Sequence, residues 1–164
     1  MRTILVLAVV LLSTSMINAQ AYRGKNDSKF QVGANFQDNG TGLNVSYDYG
    51  IGQNISLGIS STYLLDINDR IDADFVDRLD IRARFNANIG NVLEIDENFD
   101  FYPGLSLGLK NFGGHLGARY FFTDGFGIYT ELNTPLAKYD TGNLTPAEEL
   151  HNQFTVNFGA CFNL

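Results

Sequence analysis

From residue 29 onward the chain alternates apolar and polar residues with a period of two, the spacing of strands whose two faces meet different surroundings. The end of the sequence, FTVNFGACFNL, sets Phe154, Val156, Phe158, Ala160, Phe162 and Leu164 on one parity. Thr155, Asn157, Gly159, Cys161 and Asn163 take the other. The same alternation recurs over residues 29–37, 43–51, 55–64, 78–89, 99–110, 115–122 and 126–134. With 154–164 this predicts an all-β chain of eight strands. Pro103 falls inside the fifth, on the apolar parity, and predicts a bulge or local distortion there.

The predicted connections differ in length. Those near 52–54 and 123–125 are tight, 66–77 and 135–152 are long, and 38–42 and 110–114 are short. The 90–98 connection is longer than its neighbours at the tight end. An even-stranded antiparallel meander with tight turns at one end and longer loops at the other fits an up-and-down transmembrane β-barrel. A strand of about ten residues tilted by ~45° rises roughly 23 Å, close to the apolar band of such barrels.

Alternation alone also fits a soluble lipocalin-like barrel, apolar inside and polar outside. Volume separates the two. Eight strands leave an interior that side chains just fill, and the Phe, Tyr, Leu and Ile of the apolar parity would overfill it. The other parity carries Gly33, Gly50, Gly58, Gly104, Gly108, Gly117, Gly127 and Gly159 with Ser and Asn, which suits a crowded lumen. The apolar set is therefore predicted to face lipid. Phe30, Tyr47, Tyr49, Phe99, Phe101, Tyr120, Phe122, Phe126 and Phe162 fall toward the tight-turn end, where aromatic rings favour the headgroup level.

Composition supports this reading. The chain holds 17 Gly, 13 Phe and 8 Tyr, and no long window combines Ala, Leu, Glu and Lys at helical spacing. Its 164 residues suffice for one domain. A net charge of −7 argues against a nucleic-acid partner. Cys161 is the single cysteine, so no intrachain disulfide can form. The start, MRTILVLAVVLLSTSMINAQA, reads as a secretory signal: Arg2, an apolar run from Ile4 to Leu12 too short to span a membrane, and small residues Ala19 and Ala21 for cleavage. The organisation expected is a signal peptide over 1–21 and a barrel over 22–164. The competing reading of the leader is an uncleaved anchor.

The last eight residues, Asn157-Phe158-Gly159-Ala160-Cys161-Phe162-Asn163-Leu164, resemble the C-terminal assembly signal of gram-negative outer-membrane barrels. Asn157, Gly159, Phe162 and Leu164 hold its polar, glycine, aromatic and terminal apolar positions, with Leu164 where Phe or Trp is commoner. Over 29–164 the chain is similar to the small eight-stranded barrels of the outer-membrane protein A, X and W type. The resemblance implies an outer-membrane location and recognition of the last strand by the barrel-assembly machinery. It also implies a periplasmic N-terminus, with loops 66–77 and 135–152 outside the cell. Outer-membrane lipids and lipopolysaccharide are the expected surroundings, and a monomer the expected state.

The charged residues of the lumen parity are Asp48, Arg78, Asp80, Arg82, Arg84, Asp100, Lys110, Arg119 and Glu131. Buried charges need partners, and their near balance predicts a paired plug. Arg82 and Arg84 are placed to bridge Asp48, Asp80 and Glu131, and Arg119 lies diagonal to Glu131 if the sixth and seventh strands pair around TDG. A narrow or gated pore is the alternative. His115 and His151 fall near the outer rim without a serine motif beside them, and His151 reads as a surface loop residue; no catalytic site is expected. Asp66, Asp69, Asp72, Asp74 and Asp77 match no calcium loop, and neither metal nor cofactor is expected. Thr145-Pro146-Ala147-Glu148 has the form of a capping box with Pro at the first helical position, predicting one helical turn in the long loop. The function expected is a structural or surface-interaction role, with a porin-like channel for small solutes as the alternative.

Overall fold

The computed structural model describes residues 20–164; most of the leader, 1–19, lies outside them. The strands are β1 (Ser28–Gln37), β2 (Gly40–Gly50), β3 (Ile55–Ile67), β4 (Leu79–Ala87), β5 (Phe99–Gly108), β6 (Asn111–Phe121), β7 (Phe126–Lys138) and β8 (Thr155–Asn163). Each pairs antiparallel with its neighbour in sequence, and β8 returns to β1, so the sheet closes as an up-and-down barrel. The closing ladder runs from Lys29↔Asn163 to Gln37↔Thr155. Closure leaves no unpaired sheet edge. Two short helices, α1 (Phe75–Arg78) and α2 (Gly90–Leu93), sit in connections at opposite ends.

Side chains face as the alternation implies. Leu43, Val45, Leu57 and Ile59 point outward, Ile59 with 54 % of its surface exposed, whereas Asn44, Ser46, Asp48 and Asn35 are buried inside. The outer surface carries an apolar belt running through Phe36, Leu105, Leu107, Leu116, Ile128, Leu132 and Phe158. At the tight-turn end Tyr120, Phe122, Phe126, Phe162 and Phe30 form a chain of ring contacts with centroids 5.5–6.3 Å apart.

Several boundaries differ from the expected ones. β2 begins at Gly40, so the first hairpin turns on Asp38 and Asn39 alone, with Asn39 at φ 61°. β6 begins at Asn111, and β3 and β7 continue to Ile67 and Lys138. The strand extensions tolerate turn-like residues through register shifts at Thr41/Gly42 and Phe112/Gly113. Pro103 produces no bulge: β5 pairs with β6 without interruption through Pro103↔Leu116. On its other side the β4–β5 ladder stops at Asn86↔Gly104, one step short of the proline, which has no N–H to give. The pairing resumes beyond it with Ile89 N–H donating to Phe101 O at 2.9 Å.

Candidate functional site: the lumen and its two closures

The barrel interior is filled by side chains whose room is made by glycines opposite them. Asp48 pairs with Gly58 and Gly58 with Arg84, so the missing side chain lets Arg84 reach across to Asp48. A Cβ at Gly58 would strike Asp48 and crowd Arg84; one at Gly104 would strike the His115 ring, and one at Gly117 the Tyr102 ring.

At mid-barrel Arg84 stands 3.1 Å from Asp48 and 2.5 Å from Glu131, all almost fully buried. Arg119 meets Asp100 at 2.7 Å, and its second nitrogen lies 3.8 Å from Asp48. The Tyr102 ring lies between the two arginines, 5.9 Å from Arg84 and 4.6 Å from Arg119, and its hydroxyl accepts from Gln31 Nε2 at 3.1 Å. Asn88 Oδ1 takes a further Arg119 proton at 2.7 Å, and Asn86 Oδ1 contacts His115 Nε2 at 2.7 Å. Toward the loop end Arg82 pairs with Asp80.

Arg119 differs from expectation. Glu131 is diagonal to it through Gly117, as the register implies, but Asp100 is directly opposite on β5 and takes two of its three hydrogen bonds. A facing residue on an antiparallel pair is closer than a diagonal one. Lys110 forms no carboxylate pair; its ammonium donates to Asp77 O and Leu150 O, and burial lowers its pKa. Arg78 lies outside the lumen charges and donates to Ala73 O and Leu65 O.

Two chain segments close the ends. From the loop side, residues 147–152 fold inward, burying Ala147, Leu150, His151 and Asn152. His151 is therefore not a surface residue. It adopts φ 66°, its ring Nε2 lies 3.0 Å from Arg78 O, its N–H donates to Gln37 Oε1, and its carbonyl accepts from Arg82 and Asn111. Burial holds its pKa down at about 4, so the ring is neutral near pH 7 and Nε2 donates to the carbonyl. The capping box forms: Thr145 N–H donates to Glu148 Oε2 at 2.7 Å and Glu148 N–H to Thr145 Oγ1 at 3.4 Å, which lowers the Glu148 pKa. Glu149 N–H to Thr145 O at 3.1 Å closes the single turn.

From the tight-turn end, residues 21–27 fill the opening. Ala21 is fully buried and packs with Phe121, Tyr129 and Cys161; its N–H donates to Glu97 O at 2.8 Å. Tyr22 donates its hydroxyl to Ile55 O at 2.7 Å, and its carbonyl accepts from Asn91 Nδ2 at 2.9 Å. Burial and the Asp27 carboxylate push the Tyr22 pKa up to about 12. Asp27 pairs with Lys29 at 2.5 Å, and the ammonium lies over the Tyr22 and Phe121 rings.

The sequence reading did not find either closure, nor Asp27, Lys29 and Tyr102 as partners in the charge stack. Lys29 stands on the lumen parity and was legible; the closing segments are aperiodic and carried no such signal. The Asp66–Asp77 carboxylates do not converge: among the described residues no group of three or more His, Cys, Asp or Glu could hold a metal ion. No helix among them is long and apolar enough to cross a membrane, which leaves crossing by strands untouched.

A closed, eight-stranded, antiparallel barrel with an apolar exterior and a polar, charge-paired interior defines the transmembrane β-barrel fold class. The sequence belongs to a family of unknown function, DUF6646, whose profile it matches over residues 12–164. Among curated proteins none matches. Similar solved structures include the N-terminal β-barrel domain of Pseudomonas aeruginosa OprF, at 12 % identity and a TM-score of 0.58, covering 87 % of this chain and 100 % of that one. A de novo designed transmembrane β-barrel aligns at 10 % identity with a TM-score of 0.55, covering 87 % of this chain and 98 % of the other. At such identities the likeness is one of fold.

Proposed function

We propose that this protein is an outer-membrane barrel with a structural or surface-interaction role and a lumen closed to solutes. Its apolar belt would meet outer-membrane lipids and lipopolysaccharide as a monomer, and β8 would carry the signal read by the barrel-assembly machinery. The observation that carries the reading is the filled interior: Arg84, Glu131, Asp48, Arg119 and Asp100 interlock across the middle, and separate chain segments stop each end.

The alternative, a narrow channel, draws on the polar recess under His151, lined by Asn35, Asn44, Thr62, Asn133 and Asn157. That recess measures about 10 Å³, roughly the space of one water. Passage would need both closures to leave. Recovery with the outer-membrane fraction tests the location, and planar-bilayer recording of the purified barrel tests the lumen. Silence is expected from the native protein. Steady openings that change on Arg82→Ala or Glu131→Ala would replace the closed reading with the channel.

A further inference from the structure

The leader offers two cleavage points, and the small-residue rule favours the one after Ala21, with Ala19 two positions before it. The folded barrel favours the other. Ala21 has no exposed surface, packs against Phe121, Tyr129 and Cys161, and gives its N–H to Glu97 O at 2.8 Å. Removing it would empty that contact and leave the Glu97 carbonyl without its donor. It would also make Tyr22 the first residue. Tyr22 is 1 % exposed and is fixed at both ends, by Asn91 on its carbonyl and by Ile55 O on its hydroxyl. An α-ammonium created there would be buried in a site that already holds the Lys29 ammonium, 5.9 Å from the Tyr22 ring. The nearby Asp27 carboxylate already takes the Lys29 ammonium and the Arg23 N–H on its Oδ2, so a second ammonium would have to share that one counter-ion. An added buried cation without its own partner is strongly unfavourable. Gln20, by contrast, is exposed, and an ammonium on it meets water.

We infer that processing falls between Ala19 and Gln20, so that the mature protein begins with Gln20 and keeps Ala21–Asp27 as the built-in stopper of the tight-turn end. Hydrolysis there breaks the Ala19 C–N bond, giving a carboxylate on the released leader and a free amine on Gln20. The inference rests on the export reading and goes beyond it by naming the bond.

The test is expression of the full precursor in a gram-negative host, isolation from the outer membrane, and intact mass with N-terminal sequencing. The expected product is 20–164, or that mass less one ammonia if the Gln20 side chain has closed on its amine. A product starting at Tyr22 overturns this inference and leaves export standing. A chain retaining its leader overturns both. Ala21→Leu gives a second readout that does not depend on folding. A bulky residue blocks cleavage directly after itself but is tolerated two positions beyond the cut. Continued release of the leader from this precursor is expected; accumulation of uncleaved precursor would place the cut after Ala21.

Discussion

Removing the central cation of the lumen should be among the most damaging single changes available. Arg84 is held 2.5 Å from Glu131 and 3.1 Å from Asp48, with its side chain 2 % exposed. In Arg84→Met the unbranched apolar side chain keeps some of the volume, but two carboxylates lose their counter-ion. Asp48 retains a 3.8 Å approach to Arg119, which is already engaged by Asp100; Glu131 retains no arginine. Breaking a buried pair from one side costs about 3–5 kcal/mol, and that is the expected loss. Arg84→Met/Glu131→Gln removes the stranded charge as well and should be more stable than Arg84→Met by at least ~1 kcal/mol, because whole-pair replacement is far less costly than one-sided loss. Urea unfolding of vesicle-reconstituted barrel measures both. The chain has no Trp, so tyrosine fluorescence and the gel mobility of unheated samples serve as probes. A single variant within about 0.5 kcal/mol of the native barrel, the range of ordinary surface changes, would show that water reaches the carboxylates and that the interior is not sealed.

Two further outcomes are expected. His151 has a pKa near 4 against an ordinary value near 6.5, and the groups around it are Asp80, Arg82, Lys110 and the Arg78 carbonyl. With the closed-state pKa depressed, the released loop binds the extra proton; cap stability is full above pH ~6.5 and falls by about 3 kcal/mol on descent to pH ~4. Hydrogen exchange of residues 145–152, corrected for intrinsic rates, should show protection lost over that window. Equal protection at both ends of it would refute the buried, neutral ring. Gly159 faces Gly33 across the closing ladder, and a side chain on either would run into the partner backbone. Gly159→Val should therefore destabilise the barrel by roughly 1–3 kcal/mol, the usual cost of forcing extra bulk into a packed site. The check is urea unfolding of barrel refolded in detergent without assembly factors; unchanged stability there would refute the close packing of Gly159 against Gly33.

The alternation of Leu43, Val45, Tyr47 and Tyr49 against Asn44, Ser46 and Asp48 was sufficient to place strand and facing alike, because a period of two leaves each side chain only two directions. It was not sufficient to place the ends. Pro135 and Gly113-Gly114 read as turn residues, yet β7 and β6 run through them, since pairing with neighbours and a shifted register outweigh local preference. The inward fold of 145–152 and the insertion of 21–27 depend on contacts more than fifty residues away in sequence, such as Tyr22 to Asn91 and His151 to Gln37, to which no local pattern points. Parity likewise told which charges share the lumen, Arg78 excepted, but not which of them meet, and Arg119 took the facing Asp100 in preference to Glu131. One signal does carry that finer information. Gly58 lies between Asp48 and Arg84, Gly104 opposite His115, and Gly117 opposite Tyr102, so each of these three glycines is the negative of a bulky neighbour. Once the register of adjacent strands is known, pairing each inward glycine with the largest inward side chain beside it recovers the positions of Arg84, His115 and Tyr102. The interior packing of a narrow barrel is written as much in where side chains are missing as in where charges stand.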